Sequence, residues 1–175
     1  MYEKGCLLIY GQSGVCRVMD VCSSPFDAAD TRTFYVLKPE MPSDHSTIFV
    51  PVEVAESKIR DLMPKETALS ILERIGEIPP VAVAVEKQRK DTYKQILQEA
   101  SPEGYISIMK TVALRRMDAK RAKRQLAASD SELELRAKNL FTLELSFVLD
   151  IPLEEAAHLL SQKTEAAFPV FPVAF

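Results

Sequence analysis

The chain has 175 residues, 47% hydrophobic and 27% charged, with a formal net charge of −3. That size fits one domain or two small ones, and the composition excludes a wholly disordered chain. Overall acidity excludes a globally cationic nucleic-acid binder, although charge is unevenly spread along the chain. No apolar run is long enough to cross a bilayer, and MYEKGCLLIYGQSG lacks the basic, apolar and cleavage regions of a secretory signal. The expectation is a cytoplasmic protein with no membrane contact.

The first 52 residues carry strand grammar. Cys6 to Tyr10 is a short apolar run, Gly11-Gln12-Ser13-Gly14 a hairpin turn, and Val15 to Cys22 alternates with a period near two. Ser23 to Thr31 is polar and reads as a loop. Thr33 to Lys38 is a third strand, closed by Pro39, and Thr47 to Val52 a fourth. Pro51 has no amide proton to give a ladder, which favours a sheet edge or strand end. Four or five strands in so short a stretch predict a small, strongly bent sheet or barrel.

From Glu53 onward the periodicity turns helical. Glu53 to Ser57 predicts a single turn. A helix over Lys65 to Ile75 places Ala68, Leu69, Ile71, Leu72 and Ile75 inward, and Gly76 ends it. Pro79-Pro80 breaks the chain. Glu86 to Ala100 aligns Tyr93, Ile96, Leu97 and Ala100. Ser101-Pro102-Glu103 starts the next helix, with serine as cap, proline in the first turn and an acid behind it. This helix is predicted to reach about Ala128, with Tyr105, Ile108, Met109, Val112, Ala113 and Met117 inward. Ser129 or Ser131 is the expected cap of another, whose end from Leu140 to Leu149 is apolar nearly all round and therefore central. Leu153 to Gln162 predicts a last short helix. The fold class is thus α+β in two domains: an all-β domain over residues 1–63 and an all-α domain over 64–175. The apolar tail, 166–175, carries Phe168, Phe171 and Phe175 between prolines. Packing on its own domain is the favoured reading of the tail; docking on another chain, as in a homo-oligomer, is the other.

Chemistry is sparse. Cys6, Cys16 and Cys22 lack CxxC spacing, so they predict buried strand thiols and neither a disulfide framework nor a zinc site. His45 and His158 stand outside any nucleophile or metal motif, and the five glycines form no phosphate loop. No catalytic residue, metal ligand or cofactor is assigned, and no enzymatic activity is expected. A cysteine-dependent enzyme would need a reactive thiol, and only Arg17 is a cation local to Cys16. Charge is the one strong signal. Residues 87–124 hold eleven cations against four acids, inside an otherwise acidic chain. The densest run is Lys120-Arg121-Ala122-Lys123-Arg124. Such a zone suits phosphate contact, because screening limits distant acids to about 10 Å. The same cations also suit a helix C-terminus through its dipole, and most charge runs are solvated faces.

Gly5, Tyr10 and Gly14, then Tyr35-Val36-Leu37-Lys38, then Thr47-Ile48-Phe49-Val50-Pro51-Val52 resemble the start of the CarD/CdnL family of bacterial transcription regulators. The same module occurs in transcription-repair coupling factors. Tyr93-Lys94, Arg115-Arg116-Met117-Asp118, Ala137-Lys138-Asn139-Leu140 and Glu144-Leu145 extend the resemblance over about residues 1 to 160. It implies a Tudor-like, RNA polymerase-interacting β domain followed by a helical domain, with no enzymatic activity. It further implies binding of the RNA polymerase β subunit by strand addition at an edge formed by Thr47, Ile48, Phe49, Val50 and Pro51. The helical domain would contact promoter DNA with little sequence preference and modulate open-complex stability. Its candidate contacts are Arg89, Lys90, Lys94, Arg115, Arg116, Lys120, Arg121, Lys123 and Arg124. Arg89 stands near where well-studied members carry a tryptophan, and this chain has none. A protein-interaction adaptor that never meets DNA is the alternative.

Overall fold

The computed structural model describes residues 1–24, 29–55, 57–83 and 85–167. The chain divides into two compact units, Met1–Leu62 and Met63–Phe175.

The first unit is a five-stranded antiparallel sheet. Its strands are β1 (Leu7–Tyr10), β2 (Gly14–Ser23), β3 (Thr33–Pro39), β4 (Ile48–Pro51) and β5 (Ile59–Arg60), with a single helical turn, α1 (Val52–Ala55), before β5. The order across the sheet is β4-β3-β2-β1-β5, so β4 and β5 are its edges and the sheet does not close into a barrel. A 3-10 turn over Gly11–Ser13 joins β1 to β2, and Gly11 and Gly14 both take positive φ there, which only glycine adopts without cost.

Register accounts for the core. Leu8 pairs with Cys16, Val18 with Leu37, Val21 with Tyr35, and Tyr35 in turn with Val50. Leu8, Cys16, Val18, Tyr35, Leu37, Val50 and Ala55 form one buried cluster, with Val21 and Ile48 packed against it. The inward positions on β2 therefore run 16, 18, 21. The break in parity comes from a bulge between Val18 and Asp20, where Met19 is the extra residue and stands exposed. That bulge is why strict alternation fails along β2. Cys16 is buried as expected, but Cys6 is exposed, because it lies just outside β1.

The second unit contains α2 (Lys65–Glu73), α3 (Arg89–Glu99), α4 (Pro102–Arg121), α5 (Ala128–Leu149) and α6 (Leu153–Ala167). α4 packs most extensively on α5, which also meets α2, α3 and α6. Leu140, Phe141, Leu143 and Leu145 are buried, so the middle of α5 is the centre of this unit. Its last residues, Phe147 to Leu149, are half-buried. Glu144 is also fully buried, and its carboxylate accepts the Met63 amide at 2.9 Å.

Ser101 caps α4 as its sequence requires, accepting from the Gly104 amide at 3.3 Å, with Pro102 in the first turn. Gly104 is needed for a different reason. A methyl there would lie 2.6 Å from Cγ2 of Ile96, so the α3 side chain occupies the space that any side chain at this position of α4 would need.

Four expectations are corrected. α4 ends at Arg121 rather than near Ala128, because Lys123 turns left-handed at φ 52. The Lys123 amide then donates to Lys120 and the Arg124 amide to Ala119, closing a Schellman motif. α5 is preceded by Ala127 with no side-chain cap, in place of Ser129 or Ser131. Leu69 is exposed rather than inward. α6 continues past Gln162, so Ala166 and Ala167 of the expected tail are helical; Phe168, Phe171 and Phe175 lie outside the described residues.

Candidate interaction surfaces

The first surface is the β4 edge. β4 pairs with β3 through Val36↔Phe49 and Tyr35↔Val50, and no further strand follows it among the described residues. Ile48 and Val50 belong to the core side. Alternation sends Phe49 to the opposite face, where it is 37% exposed. Thr47 is exposed and precedes the strand by one residue, and Pro51 closes it. An edge with its own aromatic residue can add a partner strand, the backbone supplying attraction and alternate side chains selectivity. On the core side, Met1, Tyr2, Tyr35, Val52, Ala55 and Ile59 line a cleft of about 270 Å³. Tyr2 spans it, its amide donating to the Tyr35 hydroxyl at 2.9 Å and its own hydroxyl to Asp61 at 2.8 Å. Burial, then the Asp61 carboxylate, push the Tyr2 phenol up to about 12.

The second surface is cationic, and its candidate residues divide into two groups. Arg89 is 8% exposed and is not a surface cation. Its Nε donates to Asp130 at 3.0 Å, and Nη1 pairs with Glu86. Arg115 mirrors it, with Nε donating to Asp130 at 3.1 Å and Nη2 to Glu86 at 2.6 Å. Arg116 pairs with Glu134. The sequence count treated these arginines as local charge. Asp130 and Glu134, on α5, and Glu86 lie outside the 87–124 window, so counting along the chain missed their neutralisation. Asp130 is wholly buried in the first turn of α5, and its charge is a second reason, after burial, why the Tyr93 phenol is raised. The Tyr93 hydroxyl is buried with no hydrogen-bond partner among the described residues. Only Glu86 and Arg89 are close in sequence, at i and i+3; the other members come from two further segments, so the pattern along the chain does not show the network.

Lys90, Lys94, Lys120, Arg121, Lys123 and Arg124 are exposed. The last four surround the Schellman turn that ends α4. The only ion pair found there among the described residues is Arg121 with Asp118, at 3.9 Å and largely exposed, which contributes little. The helix end thus combines four cations with backbone carbonyls already satisfied by the turn, so the positive side chains project from a fixed scaffold.

Cys16 is the wrong thiol for nucleophilic chemistry. Burial, with Asp44 and Glu40 adding to it, pushes its pKa up to about 12. Among the described residues no group of three or more metal-ligating side chains converges, and no helix is long and apolar enough to cross a membrane. Neither a family model nor a curated protein sequence matches this chain.

Proposed function

We propose that the protein is a transcription regulator of CarD/CdnL type, with a Tudor-like first unit. In this reading it binds the RNA polymerase β subunit by strand addition at β4 and meets promoter DNA through the end of α4. The observation that carries the reading is the position of β4: the strand that the resemblance marks for polymerase contact is an edge strand, with Phe49 exposed on it. Lys120, Arg121, Lys123 and Arg124 supply sequence-independent phosphate contact, and Lys90 and Lys94 extend it. Arg89 adds no free surface charge to this set, since it is buried in ion pairs with Asp130 and Glu86.

The test is hydrogen exchange on the full chain with and without the β-subunit lobe of the cognate polymerase. The reading requires β4 amides to slow on binding, while α2 amides do not change. A complex that protects only the helical unit would refute strand addition at β4.

One observation favours an adaptor that does not contact DNA: Arg89, Arg115 and Arg116 spend their charge internally. Salt dependence separates the two. Each phosphate contact contributes about −0.9 to the slope of log K against log salt. A duplex affinity that falls steeply with salt assigns the DNA contact, and no measurable duplex binding by the folded chain assigns the adaptor role.

A further inference from the structure

Arg89 and Arg115 belong to α3 and α4, and Asp130 to α5. Asp130 gives one carboxylate oxygen to each arginine, Oδ1 to Nε of Arg89 and Oδ2 to Nε of Arg115. Both guanidinium groups are held at Nε, and both turn terminal nitrogens toward Glu86. Oε1 of Glu86 accepts from both arginines, and Oε2 accepts from Nη1 of Arg115 at 3.2 Å. Two forked guanidinium groups around one carboxylate is the arrangement that also receives a phosphate.

The two acids differ in kind. The Asp130 side chain is 0% exposed, and the Glu86 side chain is 63% exposed. Glu86 sits on a one-turn 3-10 segment, Glu86–Gln88, whose start has no side-chain cap. One acid is therefore built into the unit, and the other covers the arginines from the solvent side. With Glu86 in place the four side chains sum to zero charge; without it they sum to one positive charge facing water. Lys87 and Lys90, next in sequence, are exposed and add to the field.

We propose that Arg89 and Arg115 form a phosphate clamp, pre-oriented by Asp130 and occupied in cis by Glu86, which an incoming phosphate group displaces. The ligand chemistry is a phosphate dianion or phosphodiester. Its source is DNA if the proposed function holds, on which that part of the inference rests, and free phosphate otherwise. Glu86 then keeps nonspecific binding low until a backbone phosphate arrives in the right place.

The test compares the full chain with Glu86→Gln, using a short DNA duplex and inorganic phosphate as separate probes. Far-UV circular dichroism verifies that the variant is folded. Glu86→Gln is expected to bind the duplex about tenfold tighter, which is about 1.4 kcal/mol, with the salt slope steeper by about 0.9. The gain disappears in Glu86→Gln/Arg115→Gln. A gain with inorganic phosphate but none with duplex sustains the clamp and assigns it a free phosphate. Salt-dependent duplex binding that is equal in wild type and Glu86→Gln, with no gain for phosphate, overturns the clamp and leaves the α4 contacts standing. Wild-type protein gives an independent readout that needs no variant. The Nη–H resonances of Arg89 and Arg115, the groups that hold Glu86, shift on saturation with phosphate if Glu86 is displaced, and unmoved Nη–H resonances overturn the proposal.

Discussion

Asp130→Ala isolates the strongest electrostatic feature of the helical unit. The substitution removes a wholly buried carboxylate and both Nε hydrogen bonds, at 3.0 and 3.1 Å. Removing one member of a buried ion pair costs about 3–5 kcal/mol, mostly because the other charge is left unpaired in a poor solvent. Two facts place this case at the low end. The Arg115 side chain is 34% exposed and can rehydrate, and Glu86 still pairs with both arginines. The expected loss is about 3 kcal/mol, or roughly 10 °C in the melting temperature for a unit of this size. The assay is thermal and urea unfolding followed by far-UV circular dichroism, which reports chiefly on the five helices of the second unit. If the penalty comes from the stranded Arg89 charge, adding Arg89→Met restores at least about 1 kcal/mol, since a packed apolar side chain needs no counter-ion. A loss below about 1 kcal/mol, or no recovery in the double variant, would refute the assignment of Asp130 as the counter-ion that holds the three helices together.

Gly104→Ala should destabilise, although alanine is ordinarily the better helix former by about 1 kcal/mol. The new methyl meets Ile96 at 2.6 Å, and a β-branched residue on a helix cannot rotate away cheaply. A net loss of about 1–2 kcal/mol is expected, relieved by Ile96→Ala in a double-mutant cycle; a stabilised Gly104→Ala would refute the close approach. Lys123→Gly should stabilise by about 1 kcal/mol by relaxing a left-handed backbone, while flattening the salt slope for DNA by about 0.9; unchanged stability would deny the strain. Native protein at pH 8 should give up Cys6 to a thiol reagent quickly and Cys16 only on unfolding, as mass spectrometry of labelled peptides would show. Because the folded Cys16 pKa is raised to about 12, the folded state holds its proton more tightly than the unfolded chain. Stability from this group is therefore complete below its ordinary pKa and is lost as pH climbs toward 12. Cys16→Ala should flatten that alkaline decline, and an unchanged pH profile would show that Cys16 does not cause it.

Secondary structure was largely legible because two periods dominate the chain. Alternation over Val15 to Cys22 and the apolar runs of Thr33 to Lys38 and Thr47 to Val52 mark strands, and the spacing of Tyr105, Ile108, Met109 and Val112 marks the buried face of α4. Where local geometry overrode periodicity, reading failed. Nothing in Lys123 announces a left-handed residue, so the periodicity alone carries α4 past its end at Arg121. Ala127 carries no capping group, so nearby serines drew the cap to themselves. β5 is two residues, too short for any period to show. Pro51 favours a sheet edge or a strand end, and β4 shows both, since Pro51 is the last residue of an edge strand. The cationic zone was only half legible. A count along the chain finds every arginine but not which acids fold onto them, and Asp130 reaches Arg89 from 41 residues away. Glu86 was read as a helix start; its place over two arginines exists only in three dimensions.

Strand addition at β4 is tested by the affinity of the full chain for the purified β-subunit lobe of the cognate polymerase, wild type against Phe49→Glu. Phe49 faces away from the core, so the variant should keep its fold by circular dichroism. Loss of an exposed aromatic anchor and burial of a charge should weaken binding at least thirtyfold, about 2 kcal/mol. Wild-type binding that collapses in a folded Phe49→Glu is the predicted result. Equal binding by both chains, or none by the folded wild type, would contradict it.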